Sequence, residues 1–315
     1  RVSALRVLTF PAPRSAGREQ AMIRFGTSGW RGIIGEDFTF ENVRIATQGI
    51  ANYLKRSGQK GSGVIVAWDT RFLSEKFAAE AAKILAFNDI KAFLCTRDVP
   101  TPCAAFETVR RRAMGAINFT ASHNPPEYNG LKFSTSNGAP ALPEITEEIE
   151  RQIHAVQEKN ERLDVYEKTE LIEEIDPKDR YLTELRSKID VDAIRKSGLR
   201  IAIDSLYGTS RDYLDYFLLE AGIEVKIIHN YRDPYFGGFS PECSEKNLAD
   251  LRKVAHERDV LHRIGDAGLL LRHPALVAAH PCDVHGDPPA RDVRQMPAPG
   301  TSGRVAARRE PRLPS

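Results

Sequence analysis

The stretch Met114–Lys132, MGAINFTASHNPPEYNGLK, decides how this chain is read. Its first six residues form an apolar run of the length expected for a buried strand. The residues after Phe119 cannot extend that strand, because Asn124 precedes Pro125 and Pro126, which fix φ and remove backbone donors. Thr120–Lys132 is therefore expected to be neither helix nor sheet. It is read as a loop that presents the adjacent Ser122 and His123 just past a strand's carboxyl end, where open α/β sheets place their ligands. Asn-Pro, Pro-Pro and Asn-Gly are also ordinary turn punctuation, so the Ser-His pair takes its weight from its position.

Two more runs carry the same pattern outward. Gly63–Trp68 gives way to Asp69-Thr70-Arg71 ahead of a helix that Ser74 is placed to cap, with Phe77, Ala81, Ile84 and Leu85 as its inner face. Lys91–Cys95 gives way to Thr96-Arg97-Asp98 and a helix starting at Thr101-Pro102. Strands alternating with helices at this spacing predict a parallel sheet covered on both faces, with polar residues gathered at one edge. A helix over 39–57 is expected to be capped by Thr39, to bury Val43, Ala46, Ile50 and Leu54, and to stop at Gly58. A short strand over 131–135, a turn at Asn137-Gly138 and a charged helix Glu144–Lys159 complete this unit. Residues 160–176 are read as a connection. A second α/β unit is expected from a helix at Lys178–Ile189, a strand at Leu199–Asp204, a helix at Ser210–Glu220, a strand at Ile223–His229 and a helix at Ser244–His256. One more strand should complete it, and none is legible.

These residues carry a family resemblance. The Ser122 loop resembles the phosphoserine loop of the α-D-phosphohexomutases, the phosphoglucomutase and phosphomannomutase enzymes. Phe25–Gly32, FGTSGWRG, is similar to that family's opening motif, and Ile201–Thr209 and Asp233–Gly238 are similar to its second domain. The resemblance implies a layered α/β/α domain I over 22–159, the 160–176 connection and an incomplete domain II of similar architecture over 177–256. It also implies interconversion of hexose 1-phosphate and 6-phosphate, with Ser122 phosphorylated in the resting enzyme, Mg²⁺ on that phosphate and a glucose 1,6-bisphosphate-type activator. His123, Lys132 and Arg31 match positions beside the reacting phosphate, and Thr27, Ser28 and Asn124 match phosphate- or substrate-binding positions. Ser28 and Trp30 lean toward glucose or mannose phosphates and away from phosphoglucosamine.

The residue types suit that chemistry. A hydroxyl that passes on a phosphoryl group needs exposure and charge stabilisation more than covalent help. A permanently charged guanidinium such as Arg31 suits phosphate, whereas a lysine such as Lys132 can also give up a proton. Gly26, Gly29 and Gly32 would supply positive φ and let backbone N–H groups approach an anion. The family's metal loop, Asp-Gly-Asp-x-Asp-Arg, does not occur in the chain, and Asp259, Asp266 and Asp283 are too scattered to replace it. That leaves Ser122, through its phosphate, as the one metal-ligand position. A non-catalytic phosphosugar-binding relative is the alternative. A serine hydrolase would need Ser122 and His123 within hydrogen-bond reach, which neighbours on a turn are not expected to achieve.

Composition narrows the field further. The 315 residues allow about two domains, and 41% hydrophobic content is enough for their cores. A net charge of +2 gives no reason to expect nucleic acid as a partner, and no apolar run approaches the roughly 20 residues of a membrane span. No dinucleotide or Walker fingerprint is present. Cys95, Cys103, Cys243 and Cys282 have neither metal spacing nor a disulfide framework, which fits a cytoplasmic protein. No oligomeric state follows from the sequence. The ends differ from the middle: every lysine lies between Lys55 and Lys253, while 1–21 and the stretch after 253 use arginine alone. Residues 1–21 are read as an extension ahead of a natural start at Met22, without the apolar h-region of a signal peptide. Residues 257–315 are read as an atypical tail, either a Pro/Arg-rich disordered segment or the product of a reading-frame slip near 255–260.

Overall fold

The structure is a computed structural model that describes residues 22–26, 28–159, 163, 169–257, 262–263 and 277–278. The expected extension 1–21 and nearly all of the tail and the 160–168 segment lie outside these residues.

The first domain is built on six strands. They are β1 (Trp30–Ile33), β2 (Val64–Trp68), β3 (Ala92–Cys95), β4 (Gly115–Phe119), β5 (Tyr128–Thr135) and β6 (Ile172–Ile175), in the order β1-β5-β4-β2-β3-β6. The sheet is parallel from β4 to β6, whereas β5 runs antiparallel to both β4 and β1. The expected parallel sheet gains an antiparallel pair at that end: Trp30 lies opposite Leu131, and the opening motif runs into strand β1. The Thr120–Lys132 stretch is likewise loop only as far as Glu127, because β5 begins at Tyr128 once the prolines are passed.

Helices α1 (Phe40–Arg56), α2 (Ser74–Phe87), α3 (Thr101–Arg111) and α4 (Pro143–Lys159) cover this sheet. The β2-α2-β3 and β3-α3-β4 crossovers run in opposite directions across the sheet, so right-handed connections place α2 and α3 on opposite faces. α1 packs against α2 and α4, forming one layer. Thr39 caps α1 as expected, its Oγ1 accepting from Asn42 N at 3.2 Å. Ser74 does not cap α2. Leu73 takes the cap position with φ 61°, while the Ser74 hydroxyl donates to Asp69 Oδ1 at 3.0 Å and accepts from Asn129 Nδ2 at 2.9 Å. Its oxygen is used between elements and not by the helix end. Under the loop lies an aromatic cluster in which Trp30 stacks on Phe38 at 4.4 Å and Phe77 meets Phe38 at 5.0 Å. The stretch read as a connection contributes β6, an edge strand parallel to β3 whose Glu173 pairs with Lys91 and Arg111.

The second domain has α5 (Lys178–Lys188), α6 (Val191–Lys196), β7 (Arg200–Asp204), α7 (Leu214–Glu220), β8 (Glu224–Ile228) and α8 (Ala249–Glu257). β8 lies parallel on one side of β7. The other side carries two two-residue pieces end to end: β9 (His262–Arg263) beside Ile201–Ala202 and β10 (Val277–Ala278) beside Ile203–Asp204. The missing strand is thus represented by two short pairings.

Candidate active site

Backbone geometry at Ser122 follows from two consecutive turns. Asn124 N donates to Ala121 O at 3.1 Å and Tyr128 N to Pro125 O at 3.1 Å, so the chain reverses twice between β4 and β5. Ser122 sits in the first turn with φ 57°, a left-handed conformation that a residue with a side chain adopts only when its surroundings over-determine it. The Thr120 hydroxyl accepts from Ser122 N at 3.1 Å. Ser122 is buried to 8% exposure, while His123 is exposed. Ser122 Oγ and His123 Nδ1 are 3.5 Å apart. The neighbours face each other more closely than expected, yet the gap exceeds the reach of about 2.6–3.2 Å that a general base needs.

Strand pairing brings the opening motif to this loop. β1 and β5 set Arg31 opposite Gly130, and Arg31 Nη1 donates to Asn124 Oδ1 at 2.7 Å. A Cβ on Gly130 would come within 2.3 Å of Thr120 O, so only glycine lets β5 pass between β1 and the start of the loop. Lys132 lies on β5 opposite Asn118 of β4 and is half-buried. Ser28 sits in a tight reversal where Gly26 and Gly29 exchange backbone hydrogen bonds at 2.8 and 3.2 Å. Of the three motif glycines, Gly29 alone has positive φ, at 77°. Thr27 lies outside the described residues. Arg31 and Asn124 are therefore joined directly, Ser122 and His123 adjoin them, and Lys132 is placed by sheet register.

Sequence reasoning left Arg71 unassigned. Its fully buried guanidinium donates from Nη1 to the carbonyls of Pro125 (2.8 Å) and Tyr128 (3.0 Å), and from Nη2 to those of Ser122 (2.8 Å) and Asn124 (2.6 Å). Nε lies 3.3 Å from Asp69 Oδ2. The signal was available in the chain: Asn-Pro-Pro contains peptide units that accept but cannot donate, and they need donors from elsewhere.

The second domain seats its Asp233–Gly238 segment on the back of this loop. The Phe236 ring covers the Arg71 guanidinium at 5.1 Å. Arg232 donates to Thr70 O, Arg71 O and Glu75 Oε2, at 3.3, 3.4 and 2.6 Å. The Ser240 hydroxyl donates to His123 O. Further along the interface Arg97 pairs with Asp212 at 2.6 Å, and Arg211 pairs with Asp98. Among the described residues no group of three or more His, Cys, Asp or Glu side chains is arranged to hold a metal ion. No described helix is long and apolar enough to cross a membrane.

Comparison with known proteins places this arrangement. The profile of phosphoglucomutase/phosphomannomutase alpha/beta/alpha domain I matches residues 22–160, and that of domain II matches residues 179–265. A phosphoglucomutase/phosphomannomutase of Thermococcus kodakarensis is 30% identical over 235 residues, covering 73% of this chain and 50% of its own length. A phosphoglucosamine mutase of Prochlorococcus marinus is 29% identical over 235 residues, covering 74% and 49%. A crystal structure of a candidate phosphomannomutase from Thermus thermophilus superimposes with a TM-score of 0.67 at 34% identity, over 74% of this chain and 52% of that one. The chain thus spans about half the length of the curated relatives it matches. With two consecutive domain profiles matched in order and the serine loop between β4 and β5, the chain belongs to the phosphoglucomutase/phosphomannomutase family.

Proposed function

We propose that Ser122 is the phosphoryl carrier of a hexose-phosphate mutase that interconverts hexose 1-phosphate and 6-phosphate. The observation that supports this most is the left-handed Ser122, set past the end of β4 with the Arg31–Asn124 pair beside it. In the forward half-reaction the bond between Ser122 Oγ and phosphorus breaks as a bond to a sugar hydroxyl oxygen forms. The sugar's proton leaves to a neighbouring base, and the serine takes back a phosphoryl group from the other sugar position. His123 and Lys132 are the proposed proton-handling or positioning groups. Arg31 supplies fixed positive charge to the phosphate, with Thr27, Ser28 and Asn124 lining its approach. The protein is proposed to act in the cytoplasm on a glucose or mannose phosphate; relatives with either a phosphoglucomutase or a phosphoglucosamine mutase name are equally similar, so the lean rests on Ser28 and Trp30.

The residues present do not fit the Mg²⁺ of the family. The aspartate run is not in the chain, no three-carboxylate group is gathered among the described residues, and Ser122 would contribute only through a phosphate. This chain alone is therefore expected to show no appreciable mutase turnover, and steady conversion of glucose 1-phosphate at rates normal for such an enzyme would refute that. The missing run also favours a second reading, a phosphosugar-binding relative without catalysis. Intact-mass and peptide mass spectrometry after incubation with glucose 1,6-bisphosphate separates the two. A carrier acquires one phosphate on Ser122 that Ser122→Ala abolishes, and a binding-only protein never acquires it.

A further inference from the structure

We infer that Arg71 is the positioning residue of the Ser122 loop, and that Phe236 of the second domain seals it in place. The first part follows from counting donors and acceptors. Two of the carbonyls that Arg71 receives, those of Asn124 and Pro125, belong to peptide units whose nitrogen is a proline's. Such units have an acceptor and no donor, so this loop cannot satisfy itself through backbone pairing. A planar guanidinium with five donors in a fixed fork can collect four carbonyls at once, which an ammonium cannot do in this geometry.

The consequence reaches the reacting residue. One of the four acceptors is Ser122 O, so the guanidinium sets the peptide plane on the carboxyl side of Ser122. The Thr120 hydroxyl fixes the amide on its other side. Between these two anchors the left-handed φ of Ser122 is held, and with it the direction of Oγ. Arg71 is ion-paired with Asp69, whose Oδ2 lies 3.3 Å from Nε, and Asp69 Oδ1 accepts from Arg71 N and the Ser74 hydroxyl, both at 3.0 Å. The remaining open side is closed by Phe236, whose ring lies 5.1 Å from the guanidinium carbon and is itself buried. Arg71 is fully buried and acts through the backbone of Ser122.

The functional part of this inference rests on Ser122 being the phosphoryl carrier, so the test has one arm that does not. Amide exchange of peptides covering 121–128 is compared in wild type, Arg71→Lys and Phe236→Leu, with peptides of β2 and α2 as internal references. Arg71→Lys is expected to speed exchange across the serine loop by at least about tenfold, the effect of losing one charged hydrogen bond, and to leave the reference peptides within about twofold. Phe236→Leu is expected to shift the same peptides in the same direction by less. Loop exchange unchanged in Arg71→Lys overturns the inference, as does a uniform rise everywhere, which marks a general structural role. If Arg71→Lys does not fold, the wild-type protein decides. Its Arg71 guanidinium protons are expected to give resolved, slowly exchanging NMR signals, and exchange as fast as that of surface arginines overturns the inference. In the second arm, phosphate incorporation at Ser122 from glucose 1,6-bisphosphate is expected to fall at saturating donor with little change in the half-saturating concentration. If wild type takes up no phosphate while the exchange results hold, the carrier reading fails and the positioning role stands.

Discussion

The two sheets of this chain differ in how completely they are covered. In the first, every residue of β2 and β4 is buried, because helices pack on both faces. In the second, β7 is buried over four of its five positions, whereas β8 has no buried residue at all. A strand closed on both faces is a fixed platform, and the Ser122 loop is attached to the end of one. The Asp233–Gly238 segment, which leans on that loop from behind, comes directly after β8. The difference teaches where precision resides: Ser122 is placed by the first domain, and the second domain adds a cover to a geometry already set.

The strongest way to break this comparison is to cut into both sheets alike. Ile65→Ala or Ile117→Ala removes a side chain with no exposure from the centre of the first sheet and is expected to cost about 2–5 kcal/mol in urea unfolding. Ile227→Ala on half-buried β8 should cost about 1 kcal/mol, since less apolar area leaves water when it folds. Equal losses would show that the two sheets are covered alike. Glycine substitutions sharpen the contrast at the next level. Gly130→Ala drives a methyl into Thr120 O and Trp30 O and is expected to cost about 1–3 kcal/mol, because β1 and the start of the serine loop must move to admit it. Gly238→Ala has open space around it and is penalised only by its φ of 84°, about 1 kcal/mol by the same measurement.

How far the sequence alone reaches obeys the same division. Helix α1 was legible to its cap, since Thr39, the apolar period and Gly58 are all local signals. The strands β2, β3 and β4 were legible as apolar runs. The features that escaped were decided by partners far along the chain. β1 is a strand because Leu131 and its neighbours supply the other half of a ladder. β6, with two glutamates in four residues, is a strand because β3 offers an edge and Lys91 and Arg111 offer charge. Ser74 looked like a cap until Asp69 and Asn129 claimed its hydroxyl. At the candidate site, Ser122, His123 and Arg31 were visible as motif residues, whereas Arg71 became visible only when four carbonyls were seen to converge on it.

The smallest effect expected is a change of the contrast with pH, through one buried carboxylate in each domain. Burial pushes Glu107 upward, but hydrogen bonds and charge from Arg110 and Arg111 outweigh it and leave its pKa below the usual value. Burial dominates at Asp204 and leaves its pKa raised, against the opposing hydrogen bonds of Leu206 N and His229. The signs are opposite. Glu107 contributes stability that is present above its unfolded pKa of about 4.3 and is lost as pH falls through its lower folded value. The contribution of Asp204 is complete below its unfolded pKa of about 3.9 and is lost as pH rises through its higher folded value. Acidification from pH 7 should therefore weaken α3 relative to β7, narrowing the difference between the domains. Amide exchange of peptides covering Thr101–Arg111 and Arg200–Asp204, corrected for intrinsic rates, reads both at once. Glu107→Gln should flatten the first profile and Asp204→Asn the second, the asparagine keeping an acceptor for Leu206 N. Parallel profiles in the wild type would mean that the two carboxylates share one environment, against the arginine pair around Glu107 and the buried Oδ2 of Asp204, which has no hydrogen-bond partner among the described residues.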